Sequence, residues 1–100
     1  MLLNDVKLQG VVDEIETKKY PDGCVITYFK LRYDRATRTD VFTCRVFLRG
    51  PGDPFTATVK NGDTVQIAGI LTTAGSNQRA CVDVHWWNVW PLPVLEGRGY

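Results

Sequence analysis

Gly62-Asp63-Thr64-Val65-Gln66-Ile67-Ala68-Gly69-Ile70-Leu71-Thr72-Thr73 spaces its apolar residues two apart, with Val65, Ile67 and Leu71 on one side and a glycine in the middle. A period of two belongs to a strand with one buried face, and an internal glycine lets such a strand curve sharply. The spacing predicts a strand over 64–72, entered through the turn Asn61-Gly62-Asp63. The same pattern recurs outward from it. A first strand is expected over about 6–15, with Val6, Leu8 and Val12 inward and Gly10 as its bend. A second is expected over 24–33, after the turn Pro21-Asp22-Gly23, and a third over 40–49, after the polar loop 34–39. A fifth is expected over 80–89, ended by Pro91 and Pro93. Between the third and fourth, Gly50-Pro51-Gly52-Asp53-Pro54 breaks the sheet and leaves 55–60 room for a short strand or one helical turn. The class is all-β. Five curved strands with glycines inside the first and fourth suit a small Greek-key barrel, although an open sandwich uses the same spacing.

One hundred residues, 44% apolar and 23% charged, make one soluble globular domain, expected over 1–90 with an extended or flexible tail over 91–100. No run approaches a membrane-spanning helix and the amino terminus lacks the form of a signal peptide, so a cytoplasmic protein with no membrane partner is expected. Cys24, Cys44 and Cys81 are odd in number and far apart, which suits reduced thiols; with a lone His85 and no CxxC, neither metal nor cofactor is expected. The formal charge of +1 conceals an uneven distribution. Eight of the twelve basic residues lie between Lys18 and Arg49 against three of the eleven acidic ones, so that segment carries an excess of five positive charges. A cationic surface confined to one part of the fold can attract a polyanion, or can be no more than a solvated face.

Three blocks, in order, resemble the bacterial-type single-stranded DNA-binding protein family. Asn4-Asp5-Val6-Lys7-Leu8-Gln9-Gly10 is similar to its Asn-x-Val-x-Leu-x-Gly opening. The stretch from Pro21 to Leu31 resembles its Pro-Asn-Gly-x-x-Val-x-x-Phe-x-Leu, and that from Gly62 to Thr73 its Gly-x-x-Val-x-Ile-x-Gly-x-Leu-x-Thr. The resemblance implies a five-stranded Greek-key barrel of the oligonucleotide-binding (OB) fold. The chain departs from the family in two places. Pro51, Gly52 and Pro54 leave little room for the helix that usually precedes the fourth strand, and residues 91–100 lack the acidic, Phe-ending tail that recruits replication partners. The chain is therefore more similar to the tailless primosomal protein N branch, or to a phage- or plasmid-borne relative.

Single-strand binding without sequence preference needs cations for phosphates and rings for bases. In the third strand Phe42, Cys44, Val46 and Leu48 alternate with Thr43, Arg45, Phe47 and Arg49, which sets Phe47 between two arginines on the wet face. The resemblance instead implies an exposed aromatic near the strand's start, at Phe42; in a regular strand only one of the two is exposed. The second strand repeats the composition with Tyr28, Lys30 and Arg32. Lys18, Lys19 and Tyr20 in the loop after the first strand, and Arg35 and Arg38 in the loop after the second, complete the candidate DNA-binding set. In the fifth strand Trp86 is expected in the core, which leaves Trp87 and Trp90 for an interface between copies in a homodimer or higher oligomer. No carboxylate is paired with a nucleophile or proton donor, and no enzyme is read. The expected function is sequence-nonspecific single-stranded DNA binding in replication, restart or recombination, with replication proteins as further partners; a protein-interaction OB module is the rival.

Overall fold

The computed structural model describes residues 4–49 and 53–90; the expected tail over 91–100 lies outside them. Five strands, β1 (Val6–Lys19), β2 (Val25–Asp34), β3 (Thr39–Phe47), β4 (Thr64–Ala74) and β5 (Arg79–Trp90), close a barrel in the order β1-β2-β3-β5-β4. One turn of helix, α1 (Pro54–Thr58), lies between β3 and β4. Among the described residues no helix is long and apolar enough to cross a membrane.

Closure depends on β1 having two partners. Its first half pairs with β4, from Val6 opposite Gly69 to Val11 opposite Thr64, and its second half pairs with β2, from Val11 opposite Arg32 to Lys19 opposite Val25. The strand is longer than its alternation predicts, because a bulge between Asp13 and Glu16 breaks the period and lets pairing resume as far as Lys19. Glu14 takes φ 53° there, and the turn that enters β4 braces the bend: Ile15 N–H donates to Asn61 Oδ1 (3.0 Å) and Gly62 N–H to the Val12 carbonyl (2.7 Å). At the open end the Asn4 side chain grips the backbone of Leu71, donating to its carbonyl (2.7 Å) and accepting from its N–H (2.8 Å). Leu71 keeps its inward parity but is 51% exposed, since the described pairing of β1 with β4 ends at Gly69 and the hairpin runs on beyond it.

The final seam is short. Parallel pairing of β3 with β5 rests on Cys44 opposite Val82 and Arg45 opposite Asp83. Val12, Phe29, Leu31, Cys44, Val65, Ile67 and Val82 fill the barrel, and Phe55 of α1 plugs one end, fully buried, with its ring 5.5 Å from that of Phe29 and 5.3 Å, edge-on, from that of Trp87. Asp53 caps the helix: its carboxylate accepts from the N–H groups of Phe55 (2.9 Å) and Arg49 (3.0 Å), and those bonds hold its pKa below the usual range. Cys44 and Cys81 are buried free thiols, and burial pushes the Cys44 thiol up to about 12.

The structure corrects the fifth strand. Trp86 is not core; it is 51% exposed. Trp87, expected outward, instead turns inward and packs against Phe55, half-buried. The reason is a bulge: Ala68 faces Trp86 while Gly69 faces Val84, so His85 is an extra residue that reverses the parity of everything after it. Val82, Val84, Trp87 and Val89 therefore point inward, and Trp86 and Trp90 outward. Gly69 makes this possible, because a Cβ there would run into the carbonyl oxygen of Asp83, which is backbone and cannot turn aside. Gly69→Ala is expected to destabilise the barrel by about 1–3 kcal/mol or more, read as a fall in the urea midpoint, whereas Gly75→Ala, with nothing within 4 Å, is expected to lose only the smaller cost of its positive φ.

Candidate nucleic-acid interface

The outer face of the β2–β3 hairpin carries most of the candidate residues. Cross-strand partners share a face, so Ile26 sits beside Phe47, Tyr28 beside Arg45, Lys30 beside Thr43 and Arg32 beside Val41. The hairpin contains no register shift, so parity decides between the two phenylalanines. Phe47 is 50% exposed, while Phe42 turns toward the barrel and packs against its core.

Phe47 stands between two depressions. One, of about 510 Å3, is lined by Tyr20, Pro21, Asp22, Cys24, Ile26 and Phe47. The other, of about 520 Å3, includes Phe47, Arg49, Asp53, Pro54, Asp83 and His85 in its lining. One edge of the first is built by the β1–β2 turn, where Tyr20 N–H donates to the Cys24 carbonyl (2.8 Å) and Gly23 takes φ 89°. That turn brings the Tyr20 hydroxyl to 3.0 Å from the Tyr28 hydroxyl. Tyr20 and Phe47 rim the same slot, and the Lys18 ammonium lies 5.5 Å from the centre of the Tyr28 ring. Lys18 and Lys19 stand at the end of β1 itself rather than in a loop.

The cations are less available than their number implies. Arg45 forms a two-point ion pair with Asp83 across the β3–β5 seam, Nε to Oδ1 and Nη2 to Oδ2 (3.3 Å), with only 18% of either side chain exposed. Its guanidinium also lies 5.0 Å from the centre of the Phe47 ring. Hydrogen bonding to Asp83 raises the Arg45 pKa further above its ordinary value, so the charge is permanent yet already answered. Arg35 and Arg38 converge on Asp40 (2.8 and 3.3 Å), Arg32 lies 3.5 Å from Asp34, and Lys18 lies 3.5 Å from Glu16. Among the described residues Lys19, Lys30 and Arg49 have no acidic partner within 4.0 Å; Lys30 donates to Thr43 Oγ1 (3.0 Å).

Not all the candidates meet. Tyr20, Lys18, Tyr28, Arg45, Phe47 and Arg49 cluster at one end of the hairpin, while Arg35 and Arg38 lie at the other, eight register pairs and roughly 25 Å away. A depression of about 320 Å3 at that far end is lined in part by Tyr33, Arg35, Phe42 and Lys7, so Phe42 is reached there from the side and not from the hairpin face. Tyr33, 49% exposed, and His85, beside Phe47, were not among the residues expected from sequence. Tyr33 has the inward parity of a core residue and is exposed only because β2 overshoots the barrel; His85 is brought to Phe47 by the bulge.

Truncation separates the two phenylalanines. Phe42→Ala is expected to lower stability by a few kcal/mol, at or below the low end of the ~3–5 kcal/mol of a fully buried ring, while Phe47→Ala leaves the melting temperature nearly unchanged. The tyrosine pair has its own signature. The hydrogen bond between the Tyr20 and Tyr28 hydroxyls, reinforced by desolvation, raises the Tyr28 phenol from 10.0 to about 12. Ultraviolet absorbance is expected to show one tyrosine ionising near that pH, and Tyr20→Phe to bring it back toward 10. The raised pKa favours the folded state below pH 10, and that contribution disappears as the pH climbs through about 12.

No protein-family model matches the chain, and no curated protein matches it by sequence. Solved structures do match. The N-terminal domain of the PriB protein from Thermoanaerobacter tencongensis, described as a dimeric structure, aligns with a TM-score of 0.70 at 22% identity over 88% of this chain and 97% of that one. The single-stranded DNA binding protein from Thermus aquaticus aligns at 0.72 and 17% identity, over 97% of this chain and 44% of that one. A mitochondrial single-stranded DNA binding protein from S. cerevisiae aligns at 0.75 and 14% identity, over 94% of this chain and all of that one. At such identities the likeness is one of architecture, and with the closed five-stranded barrel it establishes that this chain has the OB fold.

Proposed function

We propose that the protein binds single-stranded DNA without sequence preference, as a non-enzymatic component of replication, restart or recombination. The observation that carries this reading is the exposed Phe47 ring, set between two depressions and flanked by Arg45 and Arg49 on a face that also presents Tyr20 and Tyr28. A flat ring needs an unstacked base, which duplex DNA does not offer; base stacking on such a ring contributes about 1–3 kcal/mol. The hairpin gives a track of roughly 25 Å from Phe47 to Arg35, within the span of the ~4–16 nucleotides that one OB fold accommodates. The fold it shares with proteins named for single-stranded DNA binding supports the same reading.

The protein acts as a homo-oligomer in this proposal. Trp86 and Trp90 stand outward on β5, and Trp86 adjoins a mostly apolar depression of about 520 Å3 that Lys7, Leu8, Gln9, Gln66 and Ala68 also line, on the β1–β4 side of the barrel. Exposed tryptophans with few cations around them suit contact with a second copy better than contact with phosphate. The dimeric structure of the PriB domain supports the homo-oligomer, though not any particular face of it.

Titration of fluorescent oligo-dT and of duplex DNA tests the reading. The single strand is expected to bind well ahead of duplex, with affinity falling steeply with salt. Phe47→Ala is expected to weaken oligo-dT binding by about 1–3 kcal/mol, and Arg49→Ala to make the log–log salt slope shallower by about 0.7. Equal duplex binding, or salt-independent capture of a protein partner alone, would replace this function with that of an interaction module.

A further inference from the structure

Arg45 is the best-placed cation on the candidate face, and it is also the one whose charge is most completely answered. Arg49, two residues on, is exposed and has no acidic partner among the described residues, whereas Arg45 is held at two points by Asp83 and is laid against the Phe47 ring. We propose that Asp83 is a positioning residue of the single-strand site: it withdraws the Arg45 guanidinium from phosphate and fixes it on one face of Phe47, leaving the other face for a base. The proposal rests on the single-strand reading given above.

Three observations carry it. Both side chains are four-fifths covered, so the pair is not the loosely held surface contact that contributes little. A guanidinium that spends its Nε and one Nη on a carboxylate has given up its side-on fork and had its charge neutralised, which leaves only the end-on Nη pair for phosphate. The distance of 5.0 Å from guanidinium to ring centre places the cation over the π-face, which occupies that face and keeps the ring upright on an open surface. Arg45 therefore contributes orientation to stacking and little to counterion release, and Asp83, from the strand across the seam, enforces that division.

The test compares wild type, Asp83→Asn, Arg45→Gln and the double variant in oligo-dT titrations between 50 and 200 mM salt, after thermal melts. Wild type is measured first, and if it binds no single strand at 50 mM salt the functional reading itself falls. If it binds, Asp83→Asn is expected to release Arg45 to phosphate and steepen the log–log slope by about 0.7, an added loss of about 2.5-fold across that salt range. This change is expected to vanish when Asp83→Asn is made in the Arg45→Gln background, an outcome that a merely structural role for Asp83 does not produce. The slope of Arg45→Gln alone is expected to match that of wild type, although its affinity falls with the lost ring contact. A folded Asp83→Asn with an unchanged slope overturns the proposal while leaving the function intact. So does an Arg45→Gln slope shallower by about 0.7, which decides the question even if Asp83→Asn does not fold.

Discussion

The barrel closes through a seam only two residue pairs long, where β3 runs parallel to β5 at Cys44–Val82 and Arg45–Asp83. Other neighbouring strands are joined by longer antiparallel ladders, of which β1–β2, β2–β3 and β4–β5 are hairpins registered by local turns. At the seam the backbone contributes least, and side chains take over: Cys44 and Val82 meet in the core beneath, and the Arg45–Asp83 ion pair spans the surface above. Phe47 lies two residues beyond that pair on β3, so the place where the fold is fastened and the place where a base is proposed to stack are one piece of structure. A partly buried ion pair is strongly directional, and breaking one partner leaves the other charge poorly solvated. That couples the integrity of the seam to the geometry of the ring beside it.

Much of the architecture was legible from residue order. Alternation in β2 and β3 survives without a bulge, so the inward set Phe29, Leu31, Cys44 and Val46 and the outward Phe47 follow from parity alone. The glycines inside β1 and β4 mark sites of close approach: a Cβ on Gly10 would lie 2.6 Å from the Arg32 carbonyl oxygen. What alternation could not show is where it stops applying. The extra residue in β1 lengthens that strand by four residues past Ile15, and the extra residue in β5 exchanges Trp86 with Trp87. Nothing in the local composition of either stretch signals a bulge; the cause lies across the sheet, in the Asn61 turn for one and in the missing Cβ of Gly69 for the other.

The role of Phe55 was hidden for a related reason. Residues 55–60 read only as room for a short strand or one helical turn, yet the helix that forms there delivers the ring that stops the barrel end and draws Trp87 inward. Charge was hidden differently. Counting lysines and arginines finds the cationic segment, but acidic partners supplied by other strands, Asp83 from β5 above all, decide which of those charges are available. A one-dimensional tally cannot see a carboxylate that arrives from 38 positions away.

The bulge at His85 also bears on how such a chain can change over generations. Gly69–Val84 and Ala68–Trp86 are consecutive pairs along β4, so loss of the single His85 codon would close the ladder and leave Trp86 outside and Trp87 inside, whereas closing the bulge with His85 retained would exchange them. The length of this strand can thus change by one residue at His85 without trading one face for the other. Gly69 is what accommodates the bulge as it stands, because only a residue without a side chain tolerates the Asp83 carbonyl against it. Among descendants of this barrel, a change of length in β5 is then expected at the bulge, with the inward set Val82, Val84, Trp87 and Val89 keeping its phase.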